Sequence, residues 1–220
     1  MPIQHFMYIP IIFLLGFVLG IMFNERRRGT IAINSIATAS QKEQLNHKTS
    51  GSKLLQMFLV FLFMFVITHL FEIPWGSKAV SQLLGGLELF DKSPVFSSSE
   101  VYERLGQFPA EGISAYKRFT YTIDIVFPLS FFAFLLTFAR FVSQRISIPK
   151  YLVNILICLP FVWFASDLIE NAMILCILSK FPYKSELLAS SLGFFTAIKF
   201  GLLLLSIFTP SALFIFARKN

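Results

Sequence analysis

Five stretches of this chain are apolar over about the thickness of a bilayer, and that limits its fold more than any other feature. Residues 6–23, 54–71, 119–142, 152–178 and 187–217 each supply roughly the 20 residues that a helix needs to cross ~30 Å of hydrocarbon. Backbone amides find no water inside a bilayer, so such runs have to be helical. The composition agrees, with 55% hydrophobic residues, 28 Phe and only 14% charged residues. A soluble domain carries about 25% charge. The mean hydropathy is +0.70. The expected fold is all-α: a polytopic membrane protein with one N-terminal anchor helix and a four-helix transmembrane bundle carrying short outer interfacial helices.

The formal charge of +7 does not mark a nucleic-acid surface, because the bases flank the apolar runs instead of clustering on a soluble face. In that position Lys and Arg set orientation and meet anionic headgroups. Arg26-Arg27-Arg28 follows the first run, Arg140 and Arg145 close the third, and Arg218-Lys219 follows the last. With these on the cytoplasmic side, the N-terminus lies outside and the C-terminus inside, across five spans. Positive charge after the first run, rather than before it, also argues against a secretory signal peptide. Tyr8, Trp75, Tyr116, Tyr121 and Tyr183 then fall at the outer interface and Tyr151 at the inner one, as an aromatic belt requires. Cys158 and Cys176 lie on one predicted helix about 27 Å apart, too far to bridge each other.

Residues 1–28 read as the anchor, 29–52 as a polar cytoplasmic linker with a weak helix over 31–39, and 53–220 as the bundle, with an outer cap over 73–118. Gly16-x-x-x-Gly20 permits close helix contact; packing within the protein is the favoured role, and docking of a membrane protein partner is the other. In the cap, helical spacing over 79–90 is interrupted at Gly85-Gly86, and Ser97-Ser98-Ser99 caps a short helix over 100–107. Pro109 starts a helix expected to run straight into the third span. The cap is too short to hold a core of its own, so it is expected to lie over the bundle.

Polar groups within the spans carry the functional question. Residues 163–173 read Trp-Phe-Ala-Ser-Asp-Leu-Ile-Glu-Asn-Ala-Met. Charge at bilayer depth costs several kcal/mol and normally faces a partner or a cavity. Three- and four-residue spacing puts Trp163, Asp167, Glu170 and Asn171 on one face. At 1.5 Å per residue, Asp124, Asp167 and Glu170 lie about 8, 16 and 12 Å below their outer helix ends, and Lys199 about 15 to 18 Å. His69 lies within about a turn of the interface and shares a face with Glu72. All of these can meet in the outer half of a bundle. Pro128 lacks the N–H that would fill the carbonyl four residues back, so Asp124 offers a freed backbone oxygen beside its carboxyl.

Three acids against one lysine leave two negative charges for a proton, a charged His69, a cation or water to balance. In a packing reading, Lys199 pairs with Asp167, Asn171 bonds a neighbouring helix, and Glu170 and Asp124 reach headgroups. In a binding reading, Asp124, Asp167, Glu170, Asn171, Lys199 and His69 form one site for a proton, cation or amine. No phosphate-binding glycine loop, CxxC or HExxH occurs. No cofactor is therefore implied and no catalytic residue is assigned. His5 and His47 fall outside the spans, which leaves His69 as the one histidine for a metal.

From Tyr116 onward, Asp124-Ile125-Val126-Phe127-Pro128, Asp167-Leu168-Ile169-Glu170-Asn171 and the late Lys199 resemble the Asp-x-x-Phe-Pro and Asp-x-x-Glu-Asn pattern of an uncharacterised group of bacterial four-helix integral membrane proteins. The resemblance covers roughly residues 53–208. It implies a bacterial inner membrane and one shared polar site, and it implies no activity.

Three functions fit the sequence. The first, and the favoured one, is a non-enzymatic accessory or interaction subunit of a membrane complex, suggested by the separate first span and the lack of catalytic motifs. The second is a small transporter or receptor taking a proton, cation or amine at the acidic cluster. The third is a metal-dependent lipid hydrolase built around His69 and the acids.

Overall fold

The computed structural model describes residues 10, 12–21, 49–71, 73, 74 and 76–217. Arg26, Arg27 and Arg28, the linker over 29–48 with its expected helix at 31–39, His5, Tyr8, His47, Glu72, Trp75, Arg218 and Lys219 lie outside the described residues. Among those described, every regular element is helical. In chain order they are α1 (Ile12–Ile21), α2 (Gly51–Phe65) ending in a π-helical turn (Val66–Leu70), α3 (Ser77–Leu83), α4 (Ser98–Gly106), α5 (Ala110–Thr120), α6 (Ile123–Ser143), α7 (Lys150–Lys180) and α8 (Glu186–Phe216). Four stretches are long and apolar enough to cross a membrane: Gly51–Leu70, Ala110–Ser143, Lys150–Lys180 and Glu186–Phe216.

The local chemistry explains several boundaries. Ser50 caps α2 by accepting from Lys53 N at 3.2 Å, filling one of the amides a helix start leaves open. The helix α3 stops before Gly85 and Gly86, whose φ angles of 76° and 83° are left-handed. Pro109 precedes α5 as expected, but α5 does not run unbroken into the third span. A turn at Tyr121-Thr122 separates it from α6, and Thr122 has left helical geometry with ψ −87°. The helices α7 and α8 both continue through their internal prolines, Pro160 and Pro210.

Within the bundle α6 is the hub, touching α2, α7 and α8, while α7 and α8 lie along each other. Phenylalanines fill the interior. Phe61 stacks on Phe131 at 4.1 Å, Phe134 lies parallel to Phe138, and Phe131 meets Trp163 edge-on at 5.3 Å. The α1 helix joins this core through Leu14, Val18 and Ile21, all buried. Its Phe17 packs against Phe138 and Phe214. Gly16 and Gly20 do not make the close contact expected of them inside the protein. They face outward, and a Cβ on either meets nothing within 4 Å.

A second core lies above the first. With 31 residues each, α7 and α8 are about 46 Å long, roughly 16 Å more than the hydrocarbon they cross. Their outer turns stand above the bundle core and expose apolar surface there. The cap covers it. Leu84, Leu89, Phe90, Val101, Leu105 and Tyr116 pack with Ile174 and Ile177 of α7 and with Ala189 and Leu192 of α8. The cap therefore has a core, about a third of which α7 and α8 supply.

Two glycines allow that approach. A Cβ on Gly112 of α5 would lie 2.3 Å from the Leu83 carbonyl oxygen, and one on Gly193 of α8 would lie 2.5 Å from that of Val95. Gly201 has open space around it. In detergent, Gly112→Ala and Gly193→Ala should each lower thermal stability by about 1–3 kcal/mol through overpacking. Gly201→Ala should be neutral or stabilising by up to ~1 kcal/mol, since alanine is the better helix former. Equal melting temperatures for all three variants would contradict the close packing of the cap.

Candidate functional site

The two cores leave a polar layer between them. On α7, Trp163 belongs to the lower core and Met173 to the upper one; Asp167, Glu170 and Asn171 lie between and are buried. On α8, Leu203 and Leu192 bracket Thr196 and Lys199 in the same way. Asp124 stands at the top of α6, one turn above Phe127.

Lysine 199 is the centre of the layer. Its Nζ donates to Glu170 Oε2 and lies 3.2 Å from Asp167 Oδ1. Thr196 Oγ1 donates to the other Glu170 oxygen. Glu170 is fully buried, so it does not reach a headgroup as the packing reading expected. The spacing explains why. Thr196 and Lys199 are three residues apart on α8, so both can address the carboxyl of a single facing glutamate.

Asparagine 171 does what the proline arithmetic required. Its Nδ2 donates to the Asp124 backbone carbonyl at 2.9 Å, the oxygen that Pro128 leaves without an intrahelical partner. This bond ties α7 to α6 at the level of the acids. The carboxyl of Asp124 makes no hydrogen bond or ion pair with the described residues and is only half-buried. Among the described residues, three buried polar atoms also lack a partner: Asp167 Oδ2, Asn171 Oδ1 and Trp163 Nε1. Buried polar groups are normally bonded, so three orphans within three helical turns mark unfinished chemistry.

A cavity of about 50 Å³ opens at this point. Its walls include Asp124, Asp167 and Lys199, the aromatic rings of Phe127, Phe131, Trp163 and Phe200, and His69. His69 is held in the π-helical turn, with Nδ1 2.7 Å from Thr68 Oγ1 and its ring stacked on Phe65 at 4.8 Å and tilted against Phe127 at 4.7 Å. The structure thus gathers the six residues singled out in the sequence: five around the cavity or its lysine, and Asn171 just behind.

Two groups escaped the sequence reading. Asp91 and Lys92, from the cap turn after Phe90, form the roof of the cavity. Tyr116, fully buried, fixes that turn by accepting from Phe90 N at 2.8 Å and facing Asp91 Oδ1 at 3.5 Å. Lys92 Nζ donates to Ser77 Oγ at 2.7 Å. No local pattern marks a loop residue as folding back over a bundle. Thr196, by contrast, was findable as a hydroxyl one turn from Lys199.

Asp91, Asp124 and Asp167 therefore line the cavity together with Lys92 and Lys199, and Glu170 is paired to Lys199 just behind it. The arrangement can attract and hold a small cation against aromatic faces. Among the described residues, no three His, Cys, Asp or Glu side chains are grouped to hold a metal ion. No family model, curated protein or solved structure is matched by this chain.

Removing one partner of a buried ion pair strands the other charge and costs about 3–5 kcal/mol. Lys199→Met should therefore destabilise the detergent-solubilised protein by about that much, measured by thermal unfolding. K199M/E170Q, which removes the stranded charge, should be more stable than Lys199→Met alone. A Lys199→Met variant as stable as the parent would show that the pair is not formed.

Proposed function

We propose that this protein is a small membrane carrier or receptor that takes a small monovalent cation or compact amine into the cavity between cap and bundle. One observation supports this reading above others: an excess of carboxyl groups, one of them unpaired, faces a small cavity walled by aromatic rings. Like charges in such a setting repel by several kcal/mol, and an entering cation relieves that repulsion. Ring faces add attraction of about 0.5–2 kcal/mol for an ammonium ion or other cation. At ~10–15 Å³ per water, the cavity has room for about three to five water-sized groups, which fits a partly hydrated cation or a short amine.

The membrane setting belongs to the same proposal. It comprises five spans in a bacterial inner membrane, with the N-terminus outside and the C-terminus in the cytoplasm. The end of the bundle opposite the cap carries Lys53, Arg140, Arg145 and Lys150, with no acid in its loop over 144–149, whereas the cap mixes both signs. That asymmetry supports a cytoplasmic assignment for the opposite end and, with it, a cavity mouth that faces outward. The resemblance to the bacterial four-helix group supports the inner membrane.

The accessory-subunit reading keeps one supporting feature. Ile12, Leu15, Gly16, Leu19 and Gly20 face away from the bundle and offer a strip on which a partner helix could lie. The metal-dependent hydrolase reading draws no support from the grouping of His, Cys, Asp and Glu among the described residues.

Asp124→Asn tests the cation reading. The substitution removes an unpaired charge and leaves the backbone carbonyl bonded to Asn171 untouched. The purified variant should melt higher than the parent in cation-free buffer. It should also lose at least about tenfold in affinity for ammonium, methylammonium or potassium, read by ligand-dependent thermal shift. A parent protein whose stability is indifferent to all three probes, or a variant with an unchanged response, would refute it.

A further inference from the structure

A second cavity lies on the flank of the cap, apart from the acidic cluster. It measures about 500 Å³ and is formed where the α2–α3 turn, α3 and the α5–α6 junction meet. Val80, Leu83, Phe119 and Ile123 make an apolar wall, and Arg118 and Thr122 supply the polar part. Its rim is exposed, with Leu83 at 38% and Tyr121 at 52%. The Arg118 side chain makes no ion pair or hydrogen bond with the described residues, and it too is exposed.

Depth gives this cavity its meaning. With 21 residues, α6 is about 31 Å long and matches the hydrocarbon thickness by itself. Taking α6 as the part of the third span that crosses the hydrocarbon sets Ile123, its first residue, at the boundary. Arg118 stands above that boundary at headgroup level, on the far side of the Tyr121-Thr122 break. The cavity thus straddles the interface, with a fixed cation above and apolar walls beside and below. Pockets of a few hundred to 1,000 Å³ accept drug-sized ligands, and this one has room for a headgroup and the first part of an acyl chain.

We infer that this cavity is a binding site for an anionic phospholipid of the leaflet on the cap side, with the phosphate on Arg118 and the upper acyl chain against Val80, Leu83, Phe119 and Ile123. The occupant follows from charge complementarity. A guanidinium without a partner among the described residues matches a phosphate in charge and geometry, and the apolar wall matches a chain that a soluble anion lacks. A bound lipid also bridges α3 to the α5–α6 junction and so holds the cap over the acidic cavity.

Native mass spectrometry of the full chain in neutral detergent tests this with phosphatidylglycerol and phosphatidylcholine of identical acyl chains. The parent should retain phosphatidylglycerol in preference to phosphatidylcholine. Arg118→Gln should weaken phosphatidylglycerol binding about tenfold. Leu83→Glu, which puts a carboxylate at the rim, should do the same without touching the guanidinium. Lys184→Gln, an exposed charge elsewhere on the cap side, should leave binding unchanged. Equal retention of the two lipids, an Arg118→Gln variant that binds like the parent, or displacement by glycerol phosphate at equal concentration would each overturn the inference. The last result would show an anion site that has no use for the acyl chain.

Discussion

The ion pair between Lys199 and Glu170 determines what the rest of this structure has to do. A lysine buried well inside a span is tolerable only with a carboxyl against it. That carboxyl in turn needs its second oxygen filled, which Thr196 does. The pair fixes α7 against α8 in register, because a shift of one residue on either helix would separate the groups. It also decides where the hydrophobic core is interrupted: the bundle core ends at the level of Trp163 and the cap core begins at Met173, with the polar layer between.

The excess charge follows from the same arrangement. Lys199 satisfies Glu170 and one oxygen of Asp167. Asp124 is left with its carboxyl unpaired, and the cap adds Asp91 with Lys92 close by. A core meant only to hold helices together would use matched charges or none. A layer with surplus carboxyls, orphaned polar atoms and aromatic walls is better suited to admitting a cation than to clamping a bundle. Tyr116 and the two close-packed glycines matter to that layer because they hold the cap above it.

Much of this was legible in the sequence, for physical reasons. Bilayer thickness fixes the length of an apolar helix, so the four long apolar helices could be read from hydropathy. Helical period placed Trp163, Asp167, Glu170 and Asn171 on one face, and rise per residue set their depths beside Asp124 and Lys199. The missing N–H of Pro128 pointed to the freed Asp124 carbonyl that Asn171 fills. What was not legible depends on tertiary contact. Nothing local shows that Leu14, Val18 and Ile21 enter the bundle core while Gly16 and Gly20 face out. Nor does local pattern show that Asp91 and Lys92 fold over the cavity, or that α5 breaks at Tyr121-Thr122. The π-helical turn that holds His69 is likewise a matter of packing, since no residue pattern in that segment demands it.

The central claim is that a mobile cation, rather than a fixed protein group, balances the acids between Asp124 and Asp167. Thallium(I) substitutes for potassium or ammonium and scatters X-rays anomalously. A crystallographic map from crystals of the protein soaked in a thallium salt therefore tests the claim directly. The expected result is an anomalous peak inside the cavity, within coordinating distance of the Asp124 and Asp167 carboxyls. A cavity without a peak, and with both carboxyls hydrogen-bonded to protein groups, would contradict it.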